Sequence, residues 1–269
     1  MHHKLLPRTL SGVRQMSTGV YLWGKMPRMG AKSGNLRVAL EMPKGKPTRV
    51  PAFDDLNVKT LKIGLRHSAA ISADGDLYTF GNGNWGVLGH GDEDSINYTK
   101  PKLVKTLKNK GVRVKDVALG EYHTMVLGED GSVWTWGYGG KKGFFNWMYT
   151  QEVGALGHGS LDPNFTPKKV EALSDHNVQM IAAGNYHCVA VTDNQQMFNW
   201  GRGLYGVLGN GANKQSLAPV LNDEFEFSKT EAEREELPFS FKNIKACDDY
   251  TGAIMNDGAL LVWGKNDRG

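Results

Sequence analysis

Cysteine is scarce in this chain: its 269 residues hold two, Cys188 and Cys247, and neither has a CxxC partner. That leaves no disulfide framework and no thiolate metal set, and it fits a reducing compartment. Long hydrophobic runs are missing as well. No stretch of about 18 apolar residues occurs, so no transmembrane helix is expected, although peripheral membrane association stays compatible with the sequence. Catalytic signatures are also absent. There is no G-x-S-x-G elbow, H-E-x-x-H helix, P-loop or kinase set, and the carboxylates are scattered through turns. These gaps point to a protein that binds and is not an enzyme, with no cofactor and no metal.

Acids are nearly missing from the first part of the chain. Residues 1–49 carry ten Lys or Arg against the single acid Glu41, a charge of +9, so the remainder is at −5 within a total of +4. Phosphate binding needs a positive field where the contacts are made, so nucleic acid is not expected as a direct ligand of the main body. The segment 1–16 has the character of a mitochondrial presequence. Lys4, Arg8 and Arg14 recur, and Leu6, Leu10 and Val13 share one side of a helix. Arg14-Gln-Met16 before Ser17 resembles a processing-peptidase site. The expected organisation is therefore a presequence over 1–16 and one folded body over 17–269, placed in the matrix or on the matrix side of the inner membrane.

What the body does have is a period. An aromatic-Gly pair closes a short strand at Trp23-Gly24, Phe80-Gly81, Trp136-Gly137, Trp200-Gly201 and Trp263-Gly264, at nearly even intervals along the chain. A unit of this length repeated in tandem is the signature of a propeller or similar array, whose units bury their apolar faces only against neighbours. One copy runs from Gly64 through His67-Ser68 and Asp74-Gly75 to Phe80-Gly81, then to Gly86-Val-Leu-Gly89-His90-Gly91. The next runs from Gly120 through His123-Thr124 and Asp130-Gly131 to Trp136-Gly137 and Gly154-Ala-Leu-Gly157-His158-Gly159. The third has Gly184, His187-Cys188, Asp193-Asn194, Trp200-Gly201 and Gly206-Val-Leu-Gly209-Asn210-Gly211. A weaker fourth has Cys247, Tyr250-Thr251, Asp257-Gly258 and Trp263-Gly264. Each copy reads as an antiparallel hairpin with an Asp-Gly or Asp-Asn turn suited to positive φ. Leu77 and Thr79 fall on one face of their strand and Tyr78 and Phe80 on the other, which predicts a sheet packed on both sides.

This pattern closely resembles the repeats of the regulator of chromosome condensation family, over roughly residues 20 to 269. The resemblance implies an all-β fold, a β-propeller of the seven-bladed family with four antiparallel strands per blade, of which about four blades are represented. The chain ends at Gly269, where the spacing in the earlier copies would place the first glycine of another Gly-x-Leu-Gly motif, and the expectation is an incomplete chain.

The repeated histidines invite a metal or catalytic reading, but a ring would hold them in separate blades. They are expected to be structural, each hydrogen-bonded within its own blade. His90 and His158 give way to Asn210 in the third copy, which suggests turn chemistry. Cys188 is expected to be a small buried residue. Gly81-Asn-Gly83-Asn-Trp-Gly86 and Gly201-Arg-Gly203-Leu-Tyr-Gly206 fit the dinucleotide fingerprint, yet no helix is expected after either, so no pyrophosphate site is assigned.

Irregularities in the repeat mark the candidate binding residues. The step from Gly137 to Gly154 is much longer than those from Gly81 to Gly86 and from Gly201 to Gly206, and the insert it contains carries Phe144, Phe145, Trp147, Met148 and Tyr149. Such a loop is either a hot-spot patch for a protein partner or a cover for a blade edge. Residues 223–236 hold seven acids against two bases, with Glu224, Glu226 and Glu233 as candidate contacts for a basic partner. Thr230 and Glu233 have capping-box spacing for a short helix, and a solvated connector is the alternative. The basic stretch from Lys25 to Arg49 is either a first-blade loop or a contact arm.

Two functions remain. One is a non-catalytic mitochondrial interaction scaffold, an assembly factor or peripheral subunit of the mitochondrial ribosome or a respiratory complex. The other, which the resemblance makes available, is a guanine nucleotide exchange factor for a mitochondrial GTPase. Partners are accordingly ribosomal, respiratory or GTPase proteins.

Overall fold

The computed structural model describes residues 20–22, 48–91, 97–140, 154–225 and 240–266. They form an all-β propeller array. Strands β1 (Tyr21–Leu22) and β2 (Thr48–Arg49) make a small antiparallel ladder. The basic stretch ends on β2 at Arg49, and residues 23–47, on which the choice between a first-blade loop and a contact arm falls, lie outside the described residues. The first full blade comprises β3 (Val58–Ile63), β4 (His67–Ser72), β5 (Leu77–Gly81) and β6 (Tyr98–Leu103). The second comprises β7 (Val114–Leu119), β8 (His123–Gly128), β9 (Val133–Gly137) and β10 (Asn164–Lys169). In the third are β11 (Val178–Ala183), β12 (His187–Thr192), β13 (Met197–Gly201) and β14 (Ser216–Leu221). The fourth shows β15 (Phe241–Cys247), β16 (Tyr250–Met255) and β17 (Leu260–Gly264). Each sheet is an antiparallel meander in sequence order.

The middle hairpins form where alternation and turn residues predict them, with one difference of detail. Ser72 N–H donates to Asp76 O and Gly75 N–H to Ser72 O, which leaves a three-residue loop with Gly75 in the left-handed region at φ 81°. Positive φ therefore falls on the residue after the Asp, and the Asp serves as an acceptor. Asp130 Oδ1 takes the Ser132 N–H at 3.1 Å, and Asp257 Oδ1 takes the Ala259 N–H at 2.8 Å. In the third blade the left-handed residue is Gln195, φ 67°, one place beyond the Asp-Asn pair. Its side-chain oxygen accepts the Phe241 N–H of the next blade at 2.6 Å, a contact glycine could not make.

Both faces of the second strand in the first three blades are buried along its whole length. Three apolar layers result, one between each pair of blades, as with Ala69, Ile71 and Leu77 against Val117, Val126 and Trp136. Fully burying residues of this size contributes about 1.5–3 kcal/mol each, so the fold is held between blades more than within them. The outer edge is protected differently. Pro101, Pro167 and Pro219 stand at the fourth position of β6, β10 and β14, where a missing N–H denies an incoming strand its ladder. On the fourth blade Leu260 and Val262 are exposed, although their counterparts in the other blades are buried.

Candidate protein-binding face

The consecutive residues at the start of each second strand point to opposite faces of the sheet. In the second blade His123 looks toward the third and Thr124 back toward the first. That alternation decides the hydrogen bonding and corrects the expectation of bonds within a blade. His67 Nε2 meets Thr124 Oγ1 at 2.7 Å, His123 Nε2 meets Cys188 Sγ at 3.1 Å, and His187 Nε2 meets Thr251 Oγ1 at 2.8 Å, each partner lying one blade on.

The backward-facing side chains share an acceptor. Thr124 Oγ1 donates to Val87 O at 2.8 Å, and Trp136 Nε1–H donates to the same oxygen at 2.8 Å. Thr124 and Trp136 are register partners, so they present their donors side by side. The motif recurs at Ala155 O with Cys188 and Trp200, and at Val207 O with Thr251 and Trp263. A hydroxyl that gives its proton to a carbonyl can only accept from the imidazole, so His67 carries its proton on Nε2. Its Nδ1 is buried with no hydrogen-bond partner, and in this tautomer it carries no proton, so no N–H donor is left unsatisfied there.

This latch explains the Gly-x-Leu-Gly motif. Residue x supplies the carbonyl, and the second glycine lets the next blade's indole approach. A Cβ on Gly89, Gly157 or Gly209 would stand 2.7, 2.8 or 2.7 Å from the Nε1 of Trp136, Trp200 or Trp263. Burial, aided by the next histidine, lowers His67 and His123 to a pKa of about 3, and burial with Arg202 nearby lowers His187 to about 4. Burial pushes the Cys188 thiol well up, so it packs as a neutral donor. His90 and His158 meet Thr79 and Thr135 hydroxyls at 3.0 Å within their own blades, in keeping with a turn role.

The latches are crowned at one end of the propeller by aromatic and charged groups from the loops joining first to second and third to fourth strands. Trp85 and Tyr122 stack edge to face at 4.4 Å, with Tyr138 and Tyr186 at 6.5 and 5.9 Å from Tyr122. The Arg66 guanidinium sits 4.4 Å over the Tyr122 ring and pairs with Glu121 at 2.6 Å. Arg202, from the loop after β13, lies 4.5 Å over Tyr186 of its own blade and pairs with Asp249 of the next. Backbone bonds from Glu121 N–H to Asn185 O and from Asn185 N–H to Asp248 O tie three loops into one rim. Tyr205 stands half-exposed on this end, with φ 60°, and Trp85 holds the matching position with φ 62°. Left-handed backbone at a bulky residue is uncommon and costs of order 1–3 kcal/mol. These glycine-rich turns are 3-10 turns, with no helix to meet a pyrophosphate.

The aromatic insert leaves from this end. Gly154 N–H bonds Gly139 O at 3.1 Å and closes the loop's base beside Tyr138. Phe144, Phe145, Trp147, Met148 and Tyr149 lie outside the described residues. The acidic segment departs from the opposite end, because β14 runs back from Ser216 beside Gly201 to Leu221 beside Phe198, and β15 restarts at Phe241 beside Met255. Glu224 is exposed there, its N–H bonded to Asn222 Oδ1 at 3.2 Å, while Glu226 and Glu233 are outside the described residues, as is the stretch from Thr230 to Glu236. The two sets of candidate residues thus belong to two different faces. Sequence reading passed over the rim itself, although its signal was present in the tyrosines preceding His123 and His187. Among the described residues no cluster of three His, Cys, Asp or Glu side chains could hold a metal, and no helix is long and apolar enough to cross a membrane.

The family model for the regulator of chromosome condensation (RCC1) repeat matches residues 74–127 and 151–191, and a second model of the same description matches 114–142. The chain is an RCC1-repeat protein. Among curated proteins, this RCC1-repeat chain is 31% identical to the E3 ubiquitin-protein ligase HERC2 of Homo sapiens over 93% of its own length and 5% of that protein. It is 31% identical to the RCC1 domain-containing protein RUG3, mitochondrial, of Arabidopsis thaliana over 82% of this chain and 44% of that one. The crystal structure of human WBSCR16 superposes with a TM-score of 0.64 at 25% identity, covering 83% of this chain and 51% of that one. The chain spans less than half the length of the two curated relatives.

Proposed function

We propose that this RCC1-repeat propeller is a non-catalytic mitochondrial interaction scaffold, an assembly factor or peripheral subunit of a large complex such as the mitochondrial ribosome or a respiratory enzyme. The observation that carries the reading is the rim. Latched blades hold a rim in which Trp85, Tyr122 and Tyr138 are buried, Arg66, Arg202 and Tyr186 are half-buried and Tyr205 is exposed, at the end where an insert rich in Phe, Trp, Met and Tyr emerges. Aromatic and Arg side chains are the residue types that dominate protein hot spots, and a frame fixed by inter-blade bonds lowers the ordering cost of binding. The basic, acid-free segment 1–16 and the likeness to a relative whose name places it in mitochondria support the location.

The test is affinity capture of the tagged chain from isolated mitochondria, with and without removal of guanine nucleotide. A nucleotide-insensitive set of ribosomal or respiratory subunits is expected. Recovery of one GTPase only after nucleotide is stripped would replace the scaffold by an exchange factor. Absence of the chain from mitochondria would remove the location.

A further inference from the structure

The third blade departs from the two before it at three positions of one interior corner. Where the third strands of those blades carry Thr79 and Thr135, β13 carries Asn199, each in the same register against the second strand. Where their Gly-x-Leu-Gly turns are followed by His90 and His158, the third has Asn210. Val104 and Val170 follow their fourth strands with N–H groups bonded to Leu77 O and Val133 O, and Asn222 follows β14 with its N–H on Met197 O. Asparagine thus stands at all three places.

In the first two blades the corner is closed by protein groups. Thr79 Oγ1 donates to Leu88 O at 2.7 Å and meets His90 Nε2 at 3.0 Å, and Thr135 Oγ1 reaches Leu156 O at 2.5 Å and His158 at 3.0 Å. In the third blade Asn222 Nδ2–H donates to Leu208 O at 3.0 Å instead, and its Oδ1 accepts the Glu224 N–H at 3.2 Å. Asn210 Oδ1 accepts the Ala212 N–H of its own loop. Asn199 is left 2% exposed with neither amide atom hydrogen-bonded, so exchanging its oxygen and nitrogen would satisfy nothing. The backbone has not closed in to compensate. Gly209 N–H bonds Gly206 O at 2.9 Å as Gly89 N–H bonds Gly86 O, and a Cβ on either Gly209 or Gly89 would stand 2.7 Å from the next blade's indole nitrogen. Asparagine in place of a histidine and of a valine therefore removes side-chain volume from an unchanged frame.

We infer that this corner of the third blade is a buried hydration site, where water takes the place that an imidazole holds in the first two blades and satisfies the Asn199 amide. An unpaired buried amide is costly, whereas water in a polar interior corner makes two to four hydrogen bonds. Water accepts from Asn199 Nδ2–H and donates to its Oδ1, and Leu208 O keeps a second lone pair for a further bond. An ion is disfavoured, because three neutral amides supply no opposite charge to offset its dehydration.

The test is a crystal structure of the full chain at a resolution that shows ordered water, joined to thermal unfolding of two variants. Solvent density is expected about 3 Å from both amide atoms of Asn199. Asn199→Leu keeps nearly the same side-chain shape but cannot hold water, and it should lower the thermal midpoint by about 2–6 °C. The triple variant Asn199→Thr, Asn210→His and Asn222→Val restores the residues of the first two blades, and it should expel the water while the midpoint holds or rises. An amide bonded directly to a protein group, a corner without solvent density, or a higher midpoint for Asn199→Leu would each overturn the inference, since removing an unpaired amide improves stability.

Discussion

Acid should loosen the propeller well above the pH at which its carboxylates are protonated. His67, His123 and His187 are buried as neutral rings, each giving its Nε2–H to a hydroxyl or thiol of the next blade. Their pKa values stand at about 3, 3 and 4 in the folded chain, against 6.5 for a free imidazole. Because the folded values are lowered, the unfolded chain takes up protons first as pH falls. The full contribution is present above pH 6.5, declines between 6.5 and about 4, and is lost once pH passes the folded values near 3. Each ring contributes at most about 1.4 kcal/mol per pH unit, so the three together give a slope approaching roughly 4 kcal/mol per unit in the middle of that window. Urea unfolding followed by tryptophan fluorescence at several values between pH 7.5 and 4.5 measures it. His187→Asn should lower stability at pH 7.5 and flatten the slope by about a third. A midpoint unchanged between pH 7.5 and 5, or a slope indifferent to that substitution, would refute the assignment of neutral inter-blade histidines.

The other latch members give separate outcomes. Trp200→Phe removes the donor to Ala155 O and should cost about 1–3 kcal/mol by urea midpoint, with the fold retained by circular dichroism. Gly157→Ala places a methyl at φ 76°, 2.8 Å from Trp200 Nε1, and should cost more, about 2–4 kcal/mol from backbone strain and overpacking together. Cys188→Thr restores the hydroxyl that Thr124 and Thr251 provide in the neighbouring blades, so its thermal midpoint should stay level or rise slightly; a clear fall would show that the thiol is required.

The parts of this fold legible in the sequence are those whose residues repeat on one strand. The aromatic-Gly period, the Asp-Gly turns and the two apolar faces around Phe80 and Trp136 led to the blades directly. The bonds of His67, His123 and His187 were misassigned because each partner lies one repeat away, and only the opposite orientation of adjacent residues in a strand shows that a histidine faces forward. The β-bulges of the first strands, at Lys59, Lys115, Gln179 and Lys242, left no trace in composition, since a bulge is a property of register between two strands. Half of the Gly-x-Leu-Gly motif's meaning was likewise hidden, because its carbonyl and second glycine serve the next blade's tryptophan. The aromatic insert was legible as an excess length, and the rim beneath it was not, for Tyr122 and Tyr186 read as ordinary repeat positions until the loops were brought together.

The most direct test of the interaction surface is capture of mitochondrial partners with the intact chain and with a variant whose insert is cut back until the step from Gly137 to Gly154 matches that from Gly81 to Gly86. The variant should keep the urea midpoint of the intact chain and lose the nucleotide-insensitive partners. Undiminished recovery of those partners by the folded variant would contradict the account.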